Sequence, residues 1–249
     1  MIHSVARPHA RSWRSTHLLL RRRSLLIMAV AIGLVVILWS SGYFAGVDWT
    51  TLFEAVGRTS YRLAIAYAIA VTLGVTLALL IGWSGITDAV FPFFDVLQNI
   101  PSFALIPLFI YFFGFTGQMI IFFAVSSIIW PILFAVLTSI KSAHTDLNDA
   151  ATIFGAMGWK RMTTYLAPLS LPAILSGSIV GIAIGWEAVI GAEIITSVAG
   201  FGYFIKDASV TGISPAMIAG TFTILIIVFT VNRLVWAPLL ADSARRYAE

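Results

Sequence analysis

The 249-residue chain predicts an all-α polytopic membrane protein of six transmembrane helices with both termini cytoplasmic, and three observations lead there. It is 59% hydrophobic and 10% charged with a mean hydropathy of +0.96, whereas soluble domains carry about 25% charged residues. That much apolar surface cannot be hidden in one aqueous core; it dissolves in a bilayer. Six stretches approach the roughly 20 apolar residues that a helical span needs. The basic residues gather at alternate loops. The net charge of +4 is therefore a topology signal, and no nucleic-acid partner is expected.

The first span runs from Leu25 to Phe44, directly after Arg21-Arg22-Arg23, and the second from Leu63 to Trp83. The third, Val90 to Phe113, is interrupted by Pro92, Pro101 and Pro107 and carries Asp95, Gln98 and Asn99. Met119 to Ile140 forms the fourth, with Pro131 inside it. The fifth, Leu171 to Ala192, places Gly177, Gly181 and Gly185 at four-residue spacing, a stripe that lets helices approach closely. Met217 to Trp236 is the sixth.

With the N-terminus inside, the inner segments hold Arg7, Arg11, Arg14, Arg21, Arg22, Arg23, Lys141, Lys160, Arg161, Arg233, Arg245 and Arg246. Only Arg58, Arg62 and Lys206 are left outside, which sets the orientation by the positive-inside rule. The basic run before Leu25 also has the look of a secretory or twin-arginine signal. Its apolar stretch is too long for a signal core and ends in no small-x-small cleavage site, so an uncleaved first span is expected. His3, His9 and His17 are too scattered for a metal site and read as part of a solvated tail.

Several functions are excluded. Cysteine is absent, so disulfides and thiolate metal sites are ruled out. No Gly-x-x-x-x-Gly-Lys-Ser/Thr occurs, so the chain has no P-loop of its own. His144 is the one histidine beyond the tail, which leaves no Ser–His or His–metal constellation; neither a catalytic nor a metal site is expected.

Between the fourth and fifth spans lies a semi-polar island of two short amphipathic segments. Leu147, Ala150, Ala151 and Phe154 recur at helical spacing, Gly155 and Gly158 allow the chain to reverse, and Trp159, Met162, Tyr165 and Leu166 form a second apolar face before Pro168 and Pro172. Thr145 is placed to cap the first helix, with Asp146 and Asp149 in its opening turns. Two short helices on the basic side of a membrane protein offer a surface to a soluble partner. Asp149-Ala150-Ala151, Gly155 and Pro168 also resemble the Glu-Ala-Ala…Gly…Ile-x-Leu-Pro pattern in permease subunits of binding-protein-dependent ABC importers. Asp149 stands for the Glu, and Tyr165 and Ala167 for the Ile and Leu.

From Gly57 to Pro238 the order of features is similar to the nitrate, sulfonate and taurine branch of these type I importers. Ile100-Pro101 to Phe113-Gly114, Ala192-Glu193 and Gly200-Phe201-Gly202-Tyr203 carry the likeness. The resemblance implies a cytoplasmic tail (1–24), a first helix with its outer loop (25–56), a permease core (57–238) with a coupling loop at 141–170, and a C-terminal cytoplasmic tail (239–249). It implies that Asp149, Ala150, Ala151, Gly155, Gly158 and Pro168 dock on an ATPase. It also implies a second permease copy as a homodimer, two cytoplasmic ABC ATPase subunits holding ATP and Mg, an extracytoplasmic solute-binding protein, and a bacterial or archaeal plasma membrane. This chain itself would hold no cofactor and be no enzyme. The implied solute is small: nitrate, a sulfonate, taurine or bicarbonate, with thiamine-precursor-like compounds left open.

Four residues are candidates for the translocation pathway. Gln98 and Asn99 flank the proline break of the third span, which is either a pathway element or a packed kink. Trp186 and Glu187 lie mid-span in the fifth. A carboxylate in hydrocarbon costs on the order of 2.5–3.5 kcal/mol on insertion scales, so Glu187 faces a watery path or is paired as interhelical glue. A self-sufficient secondary transporter or channel is the alternative; it would account for Glu187 and Asp95 but not for the spacing of the island.

Overall fold

The computed structural model describes residues 39–143, 145–210 and 214–247, together with Gly33. Two units are distinguished, residues 1–47 and 48–249. In the first, Trp39 and Ser40 are helical and Ser41 to Gly46 form turns, with the Trp39 and Phe44 rings 6.3 Å apart. The remainder of the first expected span, and the tail before it, lie outside the described residues.

The second unit begins with α1, Trp49–Ser84. Asp48 caps it, accepting from the backbone N–H groups of Thr50 and Thr51 at 3.0 and 3.2 Å and from the Thr51 hydroxyl at 2.6 Å. Gly85 closes it with φ +75°. At 36 residues the helix is about 54 Å long, well beyond a hydrocarbon core of about 30 Å. The second span was expected to open at Leu63, yet the helix starts fourteen residues earlier. Hydropathy marks where the bilayer begins, while the helix ends where its caps are. Arg58 and Arg62, read as loop residues, are therefore helical.

The third expected span is broken. α2 (Thr87–Gln98) and a helical segment formed by a 3₁₀ turn, Ser102–Leu105, with α3 (Ile106–Phe113) are bent by 79°. Pro101 lies at the break with φ −58° and ψ 111°, because it has no N–H to continue the α-helical ladder and holds an extended conformation instead. α4, Gly117–Lys141, is capped by the Thr116 hydroxyl, which accepts from Met119 N–H at 3.2 Å.

α5 (Thr145–Ile153) forms the first island helix, with Thr145 as its first helical residue. The second island segment is not a separate helix. α6 (Gly158–Arg161) runs through a π-turn, Met162–Leu166, into α7 (Ala167–Thr196), giving one helix of 39 residues. Pro168 would press its ring on the carbonyl of Thr164, and the wider π-turn relieves that clash without ending the helix. α8 (Phe201–Ser209) follows. α9 (Pro215–Val231) passes through a second π-turn, Asn232–Trp236, ahead of Pro238, into α10 (Ala237–Tyr247). The stretch from 239, expected as a tail, continues this helix to Tyr247.

The core is α1, α4 and α7. Leu63, Ala66 and Ala70 of α1 meet Ile120, Phe123 and Ile128 of α4 and Ala188, Val189 and Ala192 of α7. The glycine stripe makes the close approach. A Cβ on Gly177 would stand 2.8 Å from the Pro131 carbonyl oxygen, and one on Gly185 would stand 2.6 Å from Leu63 Cδ1. Among the described residues there is no strand, and four helices are long and apolar enough to cross a membrane, or up to five if the bent pair is one span.

Candidate functional sites

The island presents an apolar surface. Ile153, Phe154, Met157 and Trp159 are 82%, 83%, 69% and 65% exposed. Asp149, Gly155, Gly158 and Pro168 are also exposed, and Ala150 and Ala151 are half-buried. Leu147 and Phe154, expected on one helix face, are exposed. The corner between α5 and α6 is built rather than loose. Ala156 N–H donates to Ala151 O at 2.9 Å and Gly155 N–H to Thr152 O at 3.0 Å, the paired bonds of a Schellman stop. Its left-handed position is Gly155, at φ +73°. A Cβ there would meet nothing within 4 Å, so the backbone angle, not space, demands glycine. Four large apolar side chains are thus held outward around this corner.

A second site is a buried ionic cluster near the Thr196 end of α7. Glu193 is fully buried. It accepts from Thr59 Oγ1 at 2.8 and 2.9 Å, from Arg62 at 2.6 Å and from Gly202 N–H at 2.8 Å. Phe201 N–H in turn donates to the Thr59 hydroxyl at 2.8 Å. A Cβ on Gly200 would collide with the Glu193 carboxylate, and one on Gly202 with the Ile190 carbonyl. Three separate sequence features, Ala192-Glu193, the Gly-Phe-Gly-Tyr run and an arginine at the head of an apolar stretch, thus become one object joining α1, α7 and α8. Thr59 and Arg62 were missed as partners; an arginine just before an apolar run was their one signal.

The third site is a cavity of about 430 Å³ between the break of the α2–α3 pair, α4 and α7. Gln98, Ser102, Ser126, Ser127 and Trp130 line it with apolar neighbours, among them Leu97, Ile100 and Ile184. Of the four pathway candidates, only Gln98 reaches it. Its amide donates to Asp95 Oδ1 at 2.7 Å, and Asn99 donates to the Asp95 backbone carbonyl. Trp186 packs against the core and Glu187 is exposed on α7, neither lining the cavity. The structure therefore does not bring these four together.

The comparison with known families decides the lineage. The family described as "Binding-protein-dependent transport system inner membrane component" matches residues 70–237. That stretch spans the island, the broken pair and the ionic cluster's glutamate. The chain belongs to this family. As the sequence suggested, it is a permease of the type I ABC importer class and a multi-pass membrane protein.

Similar relatives of this inner membrane component carry different solutes in their names. The nitrate import permease protein NrtB of Leptolyngbya laminosa is 28% identical over 185 residues, 74% of this chain and 66% of that one. The taurine transport system permease protein TauC of Escherichia coli (strain K12) is 27% identical over 183 residues, 72% of this chain and 66% of its own. The bicarbonate transport system permease protein CmpB of Synechococcus elongatus is 28% identical over 169 residues, 67% and 59% of the two chains. The chain spans just under two thirds, or less, of the length of these relatives.

Proposed function

We propose that this chain is the transmembrane subunit of an ATP-driven importer for a small anion of the nitrate, sulfonate, taurine or bicarbonate type. In this reading six helices cross a bacterial or archaeal plasma membrane with both termini in the cytoplasm. Two copies form the pathway, two separate ABC ATPases bind ATP and Mg beneath them, and an extracytoplasmic binding protein delivers the solute. The observation that carries it is the exposed apolar corner around Gly155. It is preformed, it lies in a stretch matching the family, and it offers Ile153, Phe154, Met157 and Trp159 to a protein groove. Asp149 adds a negative charge beside that patch, Ala150 and Ala151 allow close helix approach, and Gly158 and Pro168 set the path back into the membrane.

Reconstitution in proteoliposomes with the ATPase and binding protein encoded beside it tests the proposal. ATP-dependent uptake of one of these anions is the expected result. Solute flux by the permease alone, undiminished without ATPase, overturns it and favours a secondary transporter or channel.

A further inference from the structure

We propose that α7 meets the α7 of a second copy of this chain along the face that carries Glu187, so that the two Glu187 carboxyl groups hydrogen-bond to each other within the membrane; this rests on the two-copy importer reading above. Glu187 lies about 14 Å inside the Thr196 end of α7, in a helix apolar enough to span. It is exposed, and among the described residues it has no hydrogen bond and no ion pair. Glu193 on the same helix is met by Thr59, Arg62 and the Gly202 amide; no described residue does this for Glu187. Lipid tails offer no donor, and a carboxyl left among them is costly. The partner must come from outside the single chain.

The spacing around Glu187 says which partner. Ser176, Val180, Ala183, Glu187, Ile190 and Ile194 follow one another at alternating steps of four and three, which places them in one narrow stripe of a helix. All are exposed except the half-buried Ile190. Gly177, Gly181, Gly185, Ala188 and Ala192 are buried on the opposite side, against α1 and α4, so the stripe faces away from the chain's own core. A repeat of 3.5 residues is what keeps a seam in register between two supercoiled helices. A helix that faces lipid alone has no need of it. Nor is the stripe built as the wall of a watery path. Val180, Ala183, Ile190 and Ile194 are apolar, and Ser176 Oγ donates to the Pro172 carbonyl at 2.9 Å. About a twofold axis along the membrane normal the two helices run parallel, and each stripe residue meets its own copy at the same depth. The small Ala183, one turn away, lets the backbones approach. Two carboxyls in contact in low dielectric do not both stay charged; one donates the proton that the other accepts. A single polar pair in an apolar seam also fixes its register.

The chain has no cysteine, so Ala183→Cys in the full-length permease, co-expressed with the ATPase and binding protein encoded beside it, puts one thiol per copy on the stripe. Membranes are oxidised with copper phenanthroline, and covalent dimer per inserted copy is read on a non-reducing gel. Ile195→Cys, exposed but off the stripe, and Leu225→Cys on α9 set the collisional baseline. The expected result is a dimer yield several-fold above that baseline. Val180→Cys gives the same reading if Ala183→Cys fails to insert. Adding Glu187→Gln should keep the yield, because an amide both donates and accepts; adding Glu187→Lys, which donates but cannot accept, should lower it several-fold. Stripe cysteines that crosslink no better than the baseline, or to a different protein, put lipid or another subunit on this face and overturn the proposal. An unchanged yield with Glu187→Lys means that the two side chains do not meet, which overturns it equally. Uptake assays on the reconstituted complex separate the two levels. Crosslinking as expected, with no ATP-dependent transport, leaves the contact standing and removes the importer reading; ATP-dependent uptake without stripe crosslinking does the reverse.

Discussion

Glu193 carries a charge that hydrocarbon rejects, and the chain meets it with a full set of donors rather than with water. Arg62, Thr59 and the Gly202 amide surround it, and Gly200 leaves room for its carboxylate where any Cβ would intrude. Removing one partner of such a pair costs more than the pair is worth, because the other charge stays buried. Arg62→Met is expected to destabilise the detergent-solubilised protein by about 3–5 kcal/mol. The double change with Glu193→Gln should recover part of that loss in a thermal unfolding assay. Equal stability of Arg62→Met and wild type would mean that the pair is not buried in the membrane-embedded protein. Asp48 is a milder case. The Thr51 hydroxyl, with the Thr51 and Thr50 amides, holds its carboxyl below the usual carboxylate value of 3.8. A depressed folded value means that the cap stabilises α1 above the ordinary carboxylate range and loses that contribution as pH falls through the folded value. The protection factors of the Thr50 and Thr51 amides, their exchange rates relative to the intrinsic rate at each pH, should therefore fall in acid. Asp48→Asn, which caps without titrating, should flatten that pH dependence.

At the scale of elements, two helices use the same device. Ala167-Pro168-Leu169 and Ala237-Pro238-Leu239 each follow a five-residue π-turn, so a proline that would end a helix only widens it. The island therefore springs directly from the helix that carries Glu193 at its far end. The corner around Gly155 and the buried Glu193 thus lie near opposite ends of one continuous helix, Gly158–Thr196. Gly155→Val would force a β-branched residue into the left-handed region, a strain on the order of 1–3 kcal/mol, and open the Schellman stop. Ala151→Arg would add bulk and charge to the docking side. Each variant should insert and let the ATPase hydrolyse ATP, yet uptake should fall at least several-fold. Wild-type uptake in both would reduce the corner to a plain loop.

At the scale of the molecule, the cavity and the intramembrane carboxylate part company. Glu187 is exposed on α7 and absent from the lining. An anion passing a bare carboxylate in low dielectric would be repelled, and the cavity's walls hold no such group. Glu187→Gln should thus leave anion uptake within about twofold of wild type, a change worth less than the net value of one hydrogen bond. A loss of uptake in a folded variant that still supports ATP hydrolysis would place Glu187 in the pathway after all. The exposed apolar faces of α9, such as Leu225, Ile226 and Phe229, show that the single chain leaves much of its surface for lipid or for other helices.

The sequence by itself determined the helical membrane class, the break at Pro101, the glycine stripe and the turn at Gly155. Each of these rests on local chemistry: the apolar content of a stretch, a missing N–H, a missing Cβ. Only the tertiary structure decided that Glu193 meets Arg62 and Thr59, which are more than 130 residues away. It alone decided that Gln98 shares a cavity with Ser126 and Ser127 while Glu187 does not. Local pattern cannot supply those answers, because the rotation of one packed helix against another depends on which small residues let backbones approach. That rotation chooses which polar side chains meet.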